Sequence, residues 1–142
     1  MRMRPSLEAI LPKVQKPARY TGGEFGEIIK NKEEIEVRFA LCFPDTYEIG
    51  MSNLGVRILY GVLNKLSGVW CERVFEPWRD MAEAMRAAGE PLYALESGDP
   101  IRDFDLIGFS VGYEMSFTGI LDMLSLAGIP FYSRDRHDLI YV

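Results

Sequence analysis

The order of apolar patterns along the chain constrains its fold more than any single motif does. Residues 35–43 begin with alternating polar positions and become continuously apolar, which predicts a strand entering a sheet that is covered on both faces. Residues 54–66 then repeat apolar side chains at helical spacing, and Ser67 and Gly68 supply a stop. We expect this helix to bury Leu54, Ile58, Leu59, Val62, Leu63 and Leu66, and to turn Arg57, Asn64 and Lys65 outward.

The same alternation of strand and helix continues to the end of the chain. Strands are predicted at residues 69–75 and 105–112, the latter beside the first strand, and a short strand is predicted at 91–96. Two further helices are predicted, one starting at Pro77 and ending at Gly89, the other ending at Gly128. Their expected buried residues are Trp78, Met81, Met85 and Ala88 in the first, and Phe117, Ile120, Leu121, Leu124 and Ala127 in the second.

This order predicts an α/β fold with a doubly wound, flavodoxin-like (Rossmann-like) parallel sheet. A last apolar run, residues 139–142, begins a strand at which the chain ends, so we expect the domain to be incomplete at its C-terminus. Prolines and glycines interrupt residues 1–34, which predicts an extended N-terminal arm with one short helical turn at residues 6–11. The α/β domain would then span residues 35–142.

Composition excludes several classes of function. The 142 residues carry a formal net charge of -5 and no cluster of Lys or Arg, which argues against nucleic-acid binding. No segment has the length of a membrane span or the pattern of a signal peptide, so we expect a cytoplasmic protein without membrane contact. The two cysteines, Cys42 and Cys71, fall in predicted core strands and imply no disulfide.

The turn after the first strand offers polar side chains at a sheet edge where ligands bind in open α/β folds. No phosphate-binding glycine loop of the usual kinds is present, and His137 is the only histidine. Residues 108–112 formally fit the G-x-S-x-G pattern of hydrolases, but the one histidine lies far along the chain, which favours a capping serine. For the turn after the first strand, two interpretations remain open: its side chains line a pocket, or they serve as caps, with Ser52 or Asn53 capping the helix. The candidate site residues are Asp45, Tyr47, Gly50, Ser52, Asn53, Ser110 and Gly112.

Two stretches resemble cobalamin-binding domains of the methionine synthase type. Residues 45–50, Asp-Thr-Tyr-Glu-Ile-Gly, resemble the D-x-H-x-x-G signature, with Tyr47 in the histidine position. Residues 105–110 resemble the strand that leads into the S-x-L motif, with Ser110 as its serine and Gly112 in place of leucine. Residues 11–24 and 39–55 more closely resemble the N-terminal portion of radical SAM proteins that have a cobalamin-binding-like domain, and the similarity extends over nearly the whole chain.

The resemblance implies a cofactor-binding module of a radical SAM enzyme. It would hold base-off cobalamin without histidine ligation, with Tyr47 under the corrin, next to a downstream radical SAM barrel. The [4Fe-4S] cluster and S-adenosylmethionine would belong to that barrel, because this chain lacks the C-x-x-x-C-x-x-C thiolates and is not catalytic by itself.

Two alternatives remain open at this point. One is a degenerate α/β domain that binds no cofactor and docks onto the barrel, with its arm as the chief contact. The other is an independent flavin or nucleotide binder, which the missing phosphate loop disfavours.

Overall fold

Strands and helices alternate through residues 3–136, which the computed structural model describes. The strands are β1 (Val37–Phe43), β2 (Val69–Phe75) and β3 (Leu106–Phe109). The helices are α1 (Pro5–Ile10), α2 (Tyr47–Ser52), α3 (Leu54–Asn64), α4 (Arg79–Ala88) and α5 (Ser116–Ala127). Single 3-10 turns lie at Leu11–Lys13, Pro17–Tyr20, Lys32–Glu34, Ile101–Asp103 and Ser133–Asp135.

The sheet is parallel, and its described strands run in the order β2-β1-β3. β1 pairs with β2 along its whole length, from Val37 opposite Val69 to Phe43 opposite Phe75. On its other side β1 pairs with β3, which confirms that the strand predicted at 105–112 lies beside the first. The chain thus crosses first to one side of β1 and then to the other, so the topological switch point lies between β1 and β3. The predicted α/β, flavodoxin-like or Rossmann-like parallel fold is confirmed.

The main core lies on the face of the sheet that packs against α1, α4 and α5. Leu7 of α1, Ala40 of β1, Met81 of α4 and Met123 of α5 are all buried in one cluster there. On the opposite face, α3 covers the sheet with a smaller cluster of four buried residues, Leu41, Val56, Tyr60 and Cys71.

Helix α3 turns a different face to the sheet from the one that its apolar pattern predicts. Val56, Tyr60 and Asn64, four residues apart, are buried, and the predicted buried stripe is exposed except for Leu63. The amide of Asn64 donates to the Cys71 carbonyl and accepts from the Cys71 N–H, which fixes this polar residue inward. The prediction that Asn64 faces outward is therefore wrong.

Three other predicted elements differ in part. In the predicted helix that forms α4, Met81 and Met85 are buried as predicted, but Trp78 and Ala88 are exposed. In α5, Leu124 and Ala127 are buried and Ile120 partly so, but Phe117 and Leu121 are exposed. Residues 91–96 form no strand beyond a single bridge between Tyr93 and Pro100.

The predicted arm contains the expected helical turn as α1, and its apolar side chains enter the main core. Leu7, Ile10 and Tyr20 are buried there together with residues of α4 and α5. The division into an arm at 1–34 and a domain at 35–142 stays a prediction. His137 and the apolar run 139–142 lie outside the described residues. Among the helices of residues 3–136, none is both long and apolar enough to cross a membrane.

Candidate functional site

The turn after β1 is held by the polar groups of Asp45. One carboxylate oxygen of Asp45 accepts a hydrogen bond from the Thr46 N–H at 2.7 Å. The carbonyl of Asp45 accepts from the Glu76 N–H at 3.0 Å, which ties the turn to the end of β2. Asp45 therefore stabilises the connection between β1 and α2.

Tyr47, the first residue of α2, packs sideways onto β2. Its ring meets the ring of Phe75 edge to face, with centroids 5.8 Å apart. Burial raises the pKa of Tyr47 to about 12, and the nearby Glu24 carboxylate adds to the rise. The phenol is neutral at physiological pH and lies between β2 and the N-terminal segment.

Gly50, Ser52 and Asn53 shape the junction of α2 and α3. A Cβ on Gly50 would lie 2.1 Å from Cε1 of Phe75, so only glycine fits under that ring. The Ser52 hydroxyl donates to carbonyls of its own helix, those of Glu48 and Ile49. Asn53 caps α3, because its side-chain oxygen accepts from the Val56 N–H at 3.1 Å. The prediction that Ser52 or Asn53 caps the helix is confirmed for Asn53.

Ser110 and Gly112 follow β3 at the same sheet edge as Asp45. The Ser110 N–H donates to the Cys42 carbonyl at 2.9 Å, which extends the pairing of β3 with β1 by one residue. Gly112 has nothing within 4 Å of its would-be Cβ, and the neighbouring Val111 and Tyr113 are exposed. The structure thus brings Asp45 and Ser110 to adjacent strand ends, whereas Ser52 and Asn53 bind their own helices.

The N-terminal segment closes the space above Tyr47. Arg19 forms an ion pair with Glu48 of α2 at 2.8 Å, and the Tyr20 hydroxyl accepts from the Trp78 N–H at 3.1 Å. The cavity that remains between them has a volume of about 20 Å³ and reaches Tyr47 and Phe75. That volume holds about one water molecule. The space above Tyr47 is therefore not a ligand-sized pocket in this conformation.

Two buried ion pairs were not predicted as candidates from the sequence. Arg38 pairs with Glu72, and Arg73 pairs with Glu96 at 2.7 Å. Both Glu72 and Arg73 lie inside the buried strand β2. Two adjacent charged residues within an otherwise apolar strand are the sequence signal that could have identified these ion pairs. Such groups are rarely buried without a partner.

The positions of the cysteines and of the N-terminal segment bear on whether the cofactors implied by the resemblance fit this chain. Cys42 and Cys71 are buried on opposite faces of the sheet, and burial raises the pKa of both thiols, to about 12 for Cys71. They do not fit a shared cluster, and within residues 3–136 no group of three or more His, Cys, Asp or Glu side chains has a metal-binding arrangement. A corrin does not fit over Tyr47 while Arg19 and Tyr20 cover it.

The comparison with protein families relates most of the described chain to a known family. A family model described as radical SAM proteins, N-terminal, matches residues 55–140, which is more than half of the chain. The matched region begins in α3 and includes β2, β3 and the helices that follow them, but not the turn at 43–53. No curated protein and no solved structure matches the chain.

Proposed function

The chain belongs to the family of radical SAM proteins, N-terminal, and from this we propose that it is a docking module that binds and orients a radical SAM catalytic domain. Membership in this family implies S-adenosylmethionine and a [4Fe-4S] cluster in the full protein. Those groups supply the radical chemistry from the catalytic domain. The residues of this module contribute binding and orientation, and no step of the reaction is assigned to them.

The observation that supports docking is an exposed apolar surface along α2 and α3. We call it the α3 stripe, and its six side chains are between 45% and 68% exposed. Its members are Ile49, Leu54, Ile58, Leu59, Val62 and Leu66. Leu54, Ile58 and Val62 follow one another at intervals of four, which places them on one face of the helix. Clustered apolar exposure of this kind marks an interaction surface.

The catalytic domain of the same protein is the occupant that we assign to the α3 stripe. The family is described as the N-terminal part of radical SAM proteins. The catalytic domain would therefore belong to the same polypeptide chain as the stripe. A linked domain has a high effective concentration, and modest apolar contact is enough to keep it docked. The closed space above Tyr47 leaves the stripe as the larger available surface.

A second candidate function is corrinoid binding at the ends of β1 and β3. It is supported by the position of Asp45 and Ser110 at the topological switch point and by the open loop around Gly112. Base-off binding without a histidine ligand would require Arg19 and Tyr20 to move away from Tyr47. The module would then present the corrinoid to the catalytic domain.

Oxidative footprinting of side chains tests the docking proposal. We expect Ile58, Leu59 and Val62 to be oxidised several-fold more slowly in the full-length protein than in the 142-residue chain. In the full-length protein, Ile58→Glu combined with Val62→Glu should restore oxidation of Leu59 and speed protease cleavage between the two domains. Lys65→Glu is the matched control, because it changes charge at the exposed residue that caps the C-terminus of α3 and is not a member of the stripe. Equal oxidation of the stripe in the two proteins would reject docking.

The corrinoid candidate has its own test. Hydroxocobalamin is mixed with the full-length protein, and the visible absorbance that co-elutes is measured. Docking alone predicts no visible absorbance beyond that of the same protein without added cobalamin, for both the natural sequence and Arg19→Ala. Retention of cobalamin that increases in Arg19→Ala, which removes the ion pair to Glu48, would favour corrinoid binding and a displaceable arm.

A further inference from the structure

A larger cavity lies on the α3 side of the sheet, and its lining includes Gly50 and Met51 of α2. We propose that it binds a small carboxylate with an apolar body, and that the guanidinium of Arg73 holds the carboxylate. The cavity has a volume of about 360 Å³. Its polar lining comes from Arg57, Tyr60 and Arg73, and its apolar lining includes Phe25, Met51 and Val56.

The guanidinium of Arg73 has hydrogen-bonding capacity that the protein does not use. The residue is only 7% exposed. Its Nε donates to Glu96 at 2.7 Å, and its Nη1 donates to the thioether sulfur of Met51 at 3.3 Å. Its Nη2 is buried and has no hydrogen-bond partner within residues 3–136. Buried donors are almost always satisfied, and a thioether is a weak acceptor, so the edge formed by Nη1 and Nη2 lacks a strong acceptor.

The surrounding residues fix the orientation of this edge. Glu96 accepts from both the backbone N–H and the Nε of Arg73, so the far side of the guanidinium is anchored. The Tyr60 ring lies 4.4 Å from the guanidinium carbon and supports its flat face. A rigid guanidinium edge loses little entropy when an acceptor arrives.

The balance of charge around the cavity sets what the site can attract. Burial lowers the pKa of Arg73, but Glu96 and the more distant Glu24 raise it more, so the guanidinium stays charged. Glu96 offsets one positive charge, and Arg57 adds a second positive charge to the lining. Glu24 also acts on Arg73, and a bound anion must compete with it.

The shape and lining of the cavity indicate the chemical class of the ligand. A planar carboxylate matches the two parallel donors of a guanidinium edge. It forms charge-assisted hydrogen bonds with both once the Met51 side chain, whose sulfur now contacts Nη1, moves aside. The volume lies within the range of small-molecule sites, which are mostly apolar with a few fixed polar groups. An aromatic or aliphatic carboxylate uses both the guanidinium and the apolar lining.

Benzoate is the probe, and benzamide is its neutral counterpart of the same shape. Binding to the 142-residue chain is followed by NMR shifts of the Gly50 and Met51 amides during titration into the millimolar range. We expect benzoate to bind at least about tenfold more tightly than benzamide, because only the carboxylate accepts two charge-assisted bonds. Inorganic phosphate should bind more weakly than benzoate, since it gains nothing from the apolar lining.

Three variants test the residues assigned to the site. Arg57→Gln should weaken benzoate binding several-fold, and Glu24→Gln should strengthen it by removing the competing carboxylate. Arg102→Gln, an exposed arginine that does not line the cavity, is the matched control and should have no effect. Arg73→Lys should abolish binding, and circular dichroism checks that this variant stays folded.

Four results would overturn the proposal. The first is that benzoate shifts no amide of the cavity, and the second is that benzamide binds as tightly as benzoate. The third is an Arg102→Gln effect equal to that of Arg57→Gln, since it would show general attraction of anions by surface charge. Tighter binding of phosphate than of benzoate would overturn the assignment to carboxylates with an apolar body. None of these results depends on whether the α3 stripe docks a domain.

Discussion

The two faces of the sheet are stabilised in different ways. On the face under α1, α4 and α5, stability comes from apolar burial around residues such as Leu7, Met81 and Met123. On the α3 face few side chains are buried, and polar anchors contribute instead. Asn64 binds the backbone of Cys71, and the Lys30 ammonium donates to the carbonyls of Asn64 and Val69. Because these polar anchors hold α3 on the sheet, the helix can keep apolar side chains on the face that points away from the sheet.

The largest effect on stability is expected from truncating a side chain on the face under α1, α4 and α5. Leu7→Ala removes a side chain with 0% exposure, and it should lower the free energy of unfolding by about 2–5 kcal/mol because a cavity is left in the core. Urea denaturation followed by circular dichroism measures the change. Loss of less than about 1 kcal/mol would show that the N-terminal segment is not part of the core.

A truncation on the α3 face should have a smaller effect. Val56→Ala removes two methyl groups from a buried position in the cluster with Leu41 and Tyr60, and should lower the free energy of unfolding by about 2 kcal/mol. The same denaturation experiment measures it. An effect as large as that of Leu7→Ala would contradict the view that this layer depends less on apolar burial.

The sequence predicts the sheet better than it predicts how α3 lies on the sheet. A continuous apolar run identified β1, and apolar residues on both sides of Glu72 and Arg73 identified β2. The rules for parallel connections placed β3 beside β1. Helix α3, however, has apolar side chains on two faces, so periodicity alone favoured the face containing Leu54, Ile58 and Val62. The observed face buries Asn64, whose amide binds the backbone of Cys71 in β2, and the periodicity of α3 does not indicate this contact.

The candidate site was predicted only in part for a similar reason. Capping by Asn53 depends on residues next to it in the chain and is visible in the sequence. The closure above Tyr47 depends on Arg19 and Tyr20, which reach the turn from the distant N-terminal segment. The pairing of Arg73 with Glu96 joins a strand to a segment without regular structure, which no local pattern indicates.

A modest, pH-dependent effect on stability is expected from Glu76, the residue that follows β2. Burial raises the pKa of its carboxyl group, and Asp122 and Asp45 raise it further. An acid with a raised pKa in the folded state contributes stability below its unfolded pKa, and this contribution is lost as the pH rises through the folded pKa. Glu76→Gln keeps the side chain neutral, so it should raise Tm by a few degrees at neutral pH.

The pH profile of Glu76→Gln separates this cause from a general change in packing. Below the unfolded pKa of glutamate, about 4.3, both proteins carry a neutral side chain and their Tm values should agree. Thermal denaturation across this range gives the two profiles. A constant difference in Tm at every pH would contradict the ionisation of Glu76 as the cause.

The smallest effect on stability is expected from a truncation in the α3 stripe. Ile58 lies two residues from Val56 in the same helix, but it is 54% exposed whereas Val56 is 1% exposed. Ile58→Ala should therefore change the free energy of unfolding of the 142-residue chain by no more than about 0.5 kcal/mol, measured by urea denaturation. Alanine also favours helix slightly over isoleucine, which offsets part of any loss of apolar contact. A loss as large as that of Val56→Ala would show that α3 packs on the sheet through its stripe, and the surface that we assign to the catalytic domain would then be part of the core of the module itself.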